Sequence, residues 1–174
     1  MKTSKEMLLE TVSKEIQQDA VSAPSTLQTQ GRSSLDHWSP AILLERAAYL
    51  RKMAQYGDGA ASETLKDYSQ HSAMLLVRNR DGEAEVHEGF ADVFYVLEGR
   101  ATLQTGGTVQ GARIVAPGET RGDAIEGGRR QELRAGDIAH VPAGEPHRML
   151  VPGDRTVACF VLKIQDEPKT NKEL

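Results

Sequence analysis

From about residue 71 to residue 164 the chain breaks into short runs rich in Val, Leu, Ile, Phe and Tyr, divided by Gly, Pro and Asp. The runs fall near 72–79, 83–88, 92–98, 100–105, 108–115, 121–126, 130–134, 138–141, 146–151 and 156–164. Many short strands separated by turn residues predict a β-sandwich or barrel. The pairs Gly106-Gly107 and Gly127-Gly128 suit hairpin turns, where positive φ costs glycine nothing. There is no long internal repeat, so one barrel is expected rather than two.

The residues before this region read differently. "SPAILLERAAYLRKMAQYG" predicts one helix, with Ser39 as its cap, Pro40 at the first helical position and Gly57 at its end. Leu43, Arg46, Leu50 and Met53, with Ile42, Tyr49 and Tyr56, give it a broad apolar side with one charged interruption. Such a helix packs on the outside of the main domain or across a dimer interface. "GDGAAS" reads as a loop. Further upstream, Leu8, Val12 and Ile16 recur every four residues, as in a short amphipathic helix. The polar, aperiodic "QQDAVSAPSTLQTQGRSS" reads as an extended arm. The expected order is a helix and arm over 1–38, a packing helix and loop over 39–60, a barrel over 61–166 and a tail over 167–174.

Composition narrows the function classes. Among 174 residues 39% are hydrophobic, enough for one core. The net charge of -4, with acids and bases well mixed, lacks the basic stripe that a nucleic-acid partner needs. No run approaches eighteen apolar residues, so no membrane span is expected. Cys159 is the one cysteine, which forbids an internal disulfide, and its apolar surroundings predict a buried, inert thiol. Lys2 and Lys5 are not followed by an apolar stretch, so the start does not read as a signal peptide. A cytoplasmic protein is expected, or an exported one if the first residues are not native.

Two stretches carry candidate chemistry. "EVHEGFADVFYVLEG", residues 85–99, leads a hydrophobic strand with Glu85, His87 and Asp92. Glu85 and His87 are two apart, so on a strand both point to one face. "GDIAHVPAGEPHRML", residues 136–150, carries Gly136, Pro142, Gly144 and His147. The pair resembles the cupin superfamily. Its second motif is a glycine, five residues, proline, one residue, glycine, two residues and histidine, and that spacing is complete here. Its first motif usually has two histidines, a glutamate and a glycine. Here Glu85 stands at the first histidine, His87 at the second, Asp92 at the glutamate and Gly99 at the glycine.

The resemblance implies an all-β fold, a cupin jelly-roll barrel with an N-terminal helical extension. It places Glu85, His87, Asp92 and His147 together inside the barrel as a metal-ligand set. Two imidazoles and one carboxylate suit non-haem Fe(II) with open positions, and a second carboxylate also suits Mn or Zn. Glu85 would be a ligand or a general base. The implied protein is a metal-binding small cupin, an enzyme of oxygenase, isomerase or lyase type on a small organic molecule. The alternative is a non-catalytic module that holds a small ligand. Small cupins also pair through sheet edges, so a homodimer is expected. His140 could line the cavity or pack in its strand, and His71 could reach in from the preceding strand. Phe94 and Val96 share the Asp92 face and should line the barrel, with Tyr95 opposite. Trp38, next to His37, should pack on the barrel. Arg113, Arg121 and Arg129 read as solvated, unless one holds an anionic substrate.

Overall fold

In the computed structural model the described residues are 35–166. The compact unit that carries the sheet begins at Trp38. The helix expected over 8–16, the arm after it and the tail beyond 166 lie outside the described residues.

The first element is the helix α1, Pro40–Tyr56. The Ser39 side chain accepts from the Ile42 N–H at 3.3 Å, and the Gly57 N–H donates to the Met53 carbonyl at 3.0 Å. Its buried face is Leu43, Ala47, Leu50 and Ala54. That stripe is narrower than the sequence suggests, because Ile42, Tyr49, Met53 and Tyr56 stay exposed. Two alanines on the inner face let the helix lie close to Leu75, Val77 and Ala158. Each buried Leu or Val there contributes about 1.5–3 kcal/mol over leaving it exposed.

Twelve strands follow: β1 (Ala60–Asp67), β2 (His71–Arg78), β3 (Ala84–His87), β4 (Phe90–Thr105), β5 (Thr108–Gln110), β6 (Arg113–Ala116), β7 (Glu119–Gly122), β8 (Ala124–Glu126), β9 (Arg129–Arg134), β10 (Ile138–Val141), β11 (His147–Leu150) and β12 (Val157–Gln165). All pairings are antiparallel. One half of the sheet runs β1-β2-β12-β4-β10, and the other runs β6-β7-β3-β11-β4-β9. The long strand β4 belongs to both. Its first part pairs with β12 and β10, its second with β11 and β9. This is an all-β jelly roll with one helix against its outer face. Phe94, Val96, Leu103, Leu133, Met149 and Val161 fill the interior. Cys159 lies among them, fully buried, and burial pushes its thiol up to about 12, as an inert thiol requires.

Four features differ from the sequence reading. β1 is a strand that the sequence reading does not name, and it takes in the end of the expected GDGAAS loop; its polar AASETLKD sequence lies at a sheet edge, where Ala60, Ala61, Glu63 and Leu65 are partly covered and the other residues are exposed. The two runs at 92–98 and 100–105 form one strand. Gly99 sits inside it with φ +79, and a Cβ there would lie 1.9 Å from the Thr156 carbonyl oxygen. The runs 108–115 and 121–126 each split in two, at Gly111 and around Asp123, which approach one another closely. The glycine pairs are not hairpin turns. β4 pairs with β9 and β5 with β8, so the two pairs stand side by side where one two-stranded ladder gives way to the next. A Cβ on Gly128 would meet the Thr105 carbonyl oxygen at 2.5 Å, and one on Gly107 the Glu126 carbonyl oxygen at 2.3 Å. Buried Gln104 secures this crossing by donating to the carbonyls of Ile125 and Gly127, at 3.2 and 2.7 Å. No described helix is long and apolar enough to cross a membrane.

Candidate functional site

The candidate site is assembled from cross-strand neighbours. On β3, Glu85 and His87 face the interior. β11 sets His147 opposite Glu85. β7 sets Arg121 opposite Glu85 and Glu119 opposite His87. On the other half of the sheet, β12 sets Lys163 opposite Asp92 of β4. Directly opposed residues on one face have Cβ atoms about 4.5–5.5 Å apart, within side-chain reach. The second-motif corner is tied to the first motif through the Gly144 N–H, which donates to the His87 carbonyl at 2.8 Å. Gly144 has φ +77 there, a conformation that glycine takes without strain.

Both imidazoles are oriented from behind. His87 Nδ1 lies 2.6 Å from the Glu119 carboxylate, and His147 Nδ1 lies 3.1 Å from the Glu145 carbonyl oxygen. An acceptor at Nδ1 holds the proton on that nitrogen and turns the Nε2 lone pair inward. His87 Nε2 is 3.3 Å from Glu85 Oε2 and 3.4 Å from Asp92 Oδ2. His147 Nε2 is 3.3 Å from Asp92 Oδ2 and 3.9 Å from Glu85 Oε2. The donor atoms of Glu85, His87 and His147 all lie within 4.8 Å of one another. Metal–ligand bonds of about 2.1 Å at octahedral or tetrahedral angles set neighbouring donors about 3.0–3.4 Å apart. Three of the four spacings fall in that range and the His147–Glu85 distance is longer; Glu85, His87 and His147 form the group whose donors could hold a divalent metal, with Asp92 beside it. His147 Nε2 adds a second sign: it is buried and has no hydrogen-bond partner. Native structures rarely leave such an atom unsatisfied.

The cluster also holds cations that sequence reasoning does not place. Lys163 Nζ lies 2.9 Å from Asp92 Oδ1 and 3.0 Å from His87 Nε2. Arg121 reaches Glu85 Oε2 at 2.9 Å, and Arg78 stands 3.7 Å from Glu85 Oε1. Arg121 is thus a correction, since the register with Glu85 brings it into the centre and not into solvent. Burial alone would raise the Glu85 pKa. The His87 contact and the charges of Arg121 and His147 outweigh it and lower the pKa to about 2. Burial likewise opposes ionisation of Asp92, but His147, His87 and Lys163 hold it well below the usual carboxylate range. For His87, burial lowers the pKa, the contacts to Asp92 and Glu85 raise it, Lys163 opposes them, and the balance is a rise to about 9.

The four residues expected as ligands, Glu85, His87, Asp92 and His147, are all brought together. Phe94 lines the interior beside them, its ring 6.3 Å from that of His147. His140 and His71 are not part of the site. His140 is exposed on the same side of β10 as exposed Ile138, and His71 is exposed and stacks on Tyr68 at 4.3 Å. Trp38 packs near Phe160, with ring centres 6.0 Å apart. Lys163 is legible in one respect: it shares the inward parity of Cys159 and Val161 along β12. A cavity of about 30 Å³ adjoins the centre between Glu85, His147, Phe94, Leu76, Arg78 and Met149. It has room for about two waters. A larger hollow of about 220 Å³, lined by Arg100, Thr102, Glu132 and Arg155, holds none of the donor residues.

Residues 112–163 match the cupin domain family. The match spans the second motif and begins after the first, where Glu85 and Asp92 depart from the family pattern. No curated protein matches the chain. Among solved structures, an uncharacterized conserved protein with a double-stranded beta-helix domain from Klebsiella pneumoniae subsp. pneumoniae MGH 78578 is similar, at 15% identity and a TM-score of 0.51, over 77% of this chain and 91% of that one. The protein TT1209 from Thermus thermophilus matches at 20% identity and a TM-score of 0.48, over 68% of this chain and 95% of that one. Identities this low speak for the fold alone. The family match lies inside the barrel, the complete second motif sits on the corner that carries His147, and the jelly roll surrounds both, so this part of the chain is similar to the cupin domain family in sequence and the described unit is similar to a double-stranded beta-helix protein in fold.

Proposed function

We propose that this barrel holds a divalent transition metal (Fe, Mn or Zn) on Glu85, His87, Asp92 and His147, and acts as an enzyme on a small organic molecule. The observation that carries the reading is His147 Nε2, buried, aimed at two carboxylates and without a hydrogen-bond partner. A metal bound there would polarise a carbonyl or bind oxygen, which covers oxygenase, isomerase and lyase chemistry. The fold does not choose among these. The chain's own contributions follow from the geometry. Glu119 and the Glu145 carbonyl orient the imidazoles, Arg121 and Arg78 hold the Glu85 carboxylate, and Phe94, Leu76 and Met149 form an apolar wall. A Glu85 carboxyl lowered to about 2 accepts a proton poorly near neutrality, which supports the ligand role over the general-base role.

A non-catalytic ligand-binding module is the second reading. The ion pair of Lys163 with Asp92, which balances charge in the centre without a metal, favours it. Elemental analysis of protein purified without a metal-affinity tag separates the two. Metal in stoichiometric amount is expected, and His147→Ala and His87→Ala should each lose most of it while the far-ultraviolet β-sheet spectrum is unchanged. Equal metal content in all three proteins would refute the metal assignment.

A further inference from the structure

We infer that Lys163 is a built-in competitor for the metal: its ammonium group stands against His87 and Asp92 as a cation held between them would, and it must withdraw before His87 can serve as a ligand. This inference rests on the metal-binding reading above. Three observations carry it. First, Lys163 Nζ lies 3.0 Å from His87 Nε2, the nitrogen that faces the centre, and 2.9 Å from Asp92 Oδ1, while Asp92 Oδ2 faces the two imidazoles. Second, the other donors are not satisfied by it: His147 Nε2 has no partner, and Glu85 is held from outside by Arg121 and Arg78. Third, Lys163 is anchored by strand register. It is the direct neighbour of Asp92 across β4 and β12 and is only partly buried. A long flexible side chain on a partly open site can swing toward solvent without moving the strand.

The charges give the direction of the effect. Glu85 and Asp92 together balance one divalent ion. An ammonium left within a few ångströms of that ion would repel it, and would also keep His87 Nε2 from bonding to it. Lys163 therefore weakens metal binding, and sets how readily the site loads and empties. The same proximity argues against Lys163 as an amine nucleophile, because an ammonium held by a carboxylate has no lone pair to offer.

The test is titration of the metal-free full chain with Co²⁺, followed by calorimetry and by the visible spectrum of the bound ion. Lys163→Met is expected to bind Co²⁺ at least about tenfold more tightly than the unaltered chain. Lys163→Arg, which keeps a cation at the site, should bind no more tightly than the unaltered chain. Lys163→Gln, which can still donate to Asp92, carries the test if the methionine variant does not fold. In the unaltered chain, zinc should make Lys163 label faster with an amine-acylating reagent, read by peptide mass spectrometry, since the displaced amine moves outward. Unchanged or weaker Co²⁺ binding in the neutral variants, or slower labelling with zinc, would overturn the inference while leaving the metal reading intact. No binding by either the unaltered chain or the variants would overturn both. Binding by the neutral variants alone would support the competitor role and show that the unaltered site is closed to the ion.

Discussion

Glu85 sits between two imidazoles on its inner side and two guanidinium groups on its outer side, so its substitution tests the centre directly. As a ligand, Glu85→His should retain the metal, because an imidazole is the commoner donor at this motif position. Glu85→Gln should weaken zinc binding by more than about tenfold, since an amide is a poor ligand and also loses the pairing with Arg121. A site that binds zinc equally in both variants would place Glu85 outside the coordination. The pKa shifts give a second prediction, for the metal-free protein. Glu85 is depressed from 4.5 to about 2, so its stabilising contribution is full above about 4.5 and is lost as the pH falls toward 2. His87 is raised from 6.5 to about 9, so its contribution is full below about 6.5 and is lost as the pH rises through 9. The melting temperature should peak between those limits. Zinc, which requires deprotonated His87, should raise the melting temperature more at about pH 8 than at about pH 6. A zinc effect that shrinks with rising pH would contradict this. At this scale the clustering of Glu85, His87, Asp92 and His147 is legible in the sequence because motif spacing and strand parity are local properties. The partners of Arg121 and Lys163 are not, because they are set by which strands become neighbours, 36 and 71 residues apart in sequence.

β4 shows how a single residue can shape an element. Sequence punctuation at Gly99 suggests two strands, and the structure has one that passes from one half of the sheet to the other at that glycine. The ladder with β12 ends at the Gly99–Val157 pair, after a register shift between Ala158 and Cys159. With φ +79 and the Thr156 carbonyl oxygen 1.9 Å from where a Cβ would stand, no side chain fits without moving the backbone. Gly99→Ala should therefore cost about 3 kcal/mol or more in urea denaturation. A loss below about 1 kcal/mol would mean that the strand can bend without glycine. The same reasoning explains what sequence alone misreads at this scale. The glycine pairs at 106–107 and 127–128 carry the conformations of a turn, and nothing local says that they lie against each other. β1 escapes notice because a polar edge strand lacks the alternation that marks a half-buried one. The second-motif corner is legible in full, since proline and glycine fix it locally.

At the scale of the molecule, the sheet has four outer strands among the described residues: β1 and β10 on one half, β6 and β9 on the other. They are not equally protected. β1 carries Glu63, Lys66 and Asp67, and β9 carries Arg129, Arg130, Glu132 and Arg134, charges that discourage strand addition. β6 and β10 are short and present apolar side chains: Ile114 is 81% exposed, Val115 54% and Ile138 69%. Exposed β-branched residues on an unpaired edge invite pairing with another strand, and a second copy of the same chain offers a matching edge. The exposed side of α1, with Ile42, Tyr49, Met53 and Tyr56, adds apolar surface that a partner could cover. The protein is therefore expected to be a homodimer in dilute solution. Light scattering should give twice the 19.0 kDa of the chain across a concentration series. Ile114→Lys, which places a charge on the exposed β6 edge two strands away from β3, should shift the mass toward that of one chain if β6 forms the contact. Ile138→Lys does the same for β10. The variant that dissociates identifies the edge in use, and dissociation by neither moves the interface to α1. A mass of one chain at every concentration would reject the dimer altogether.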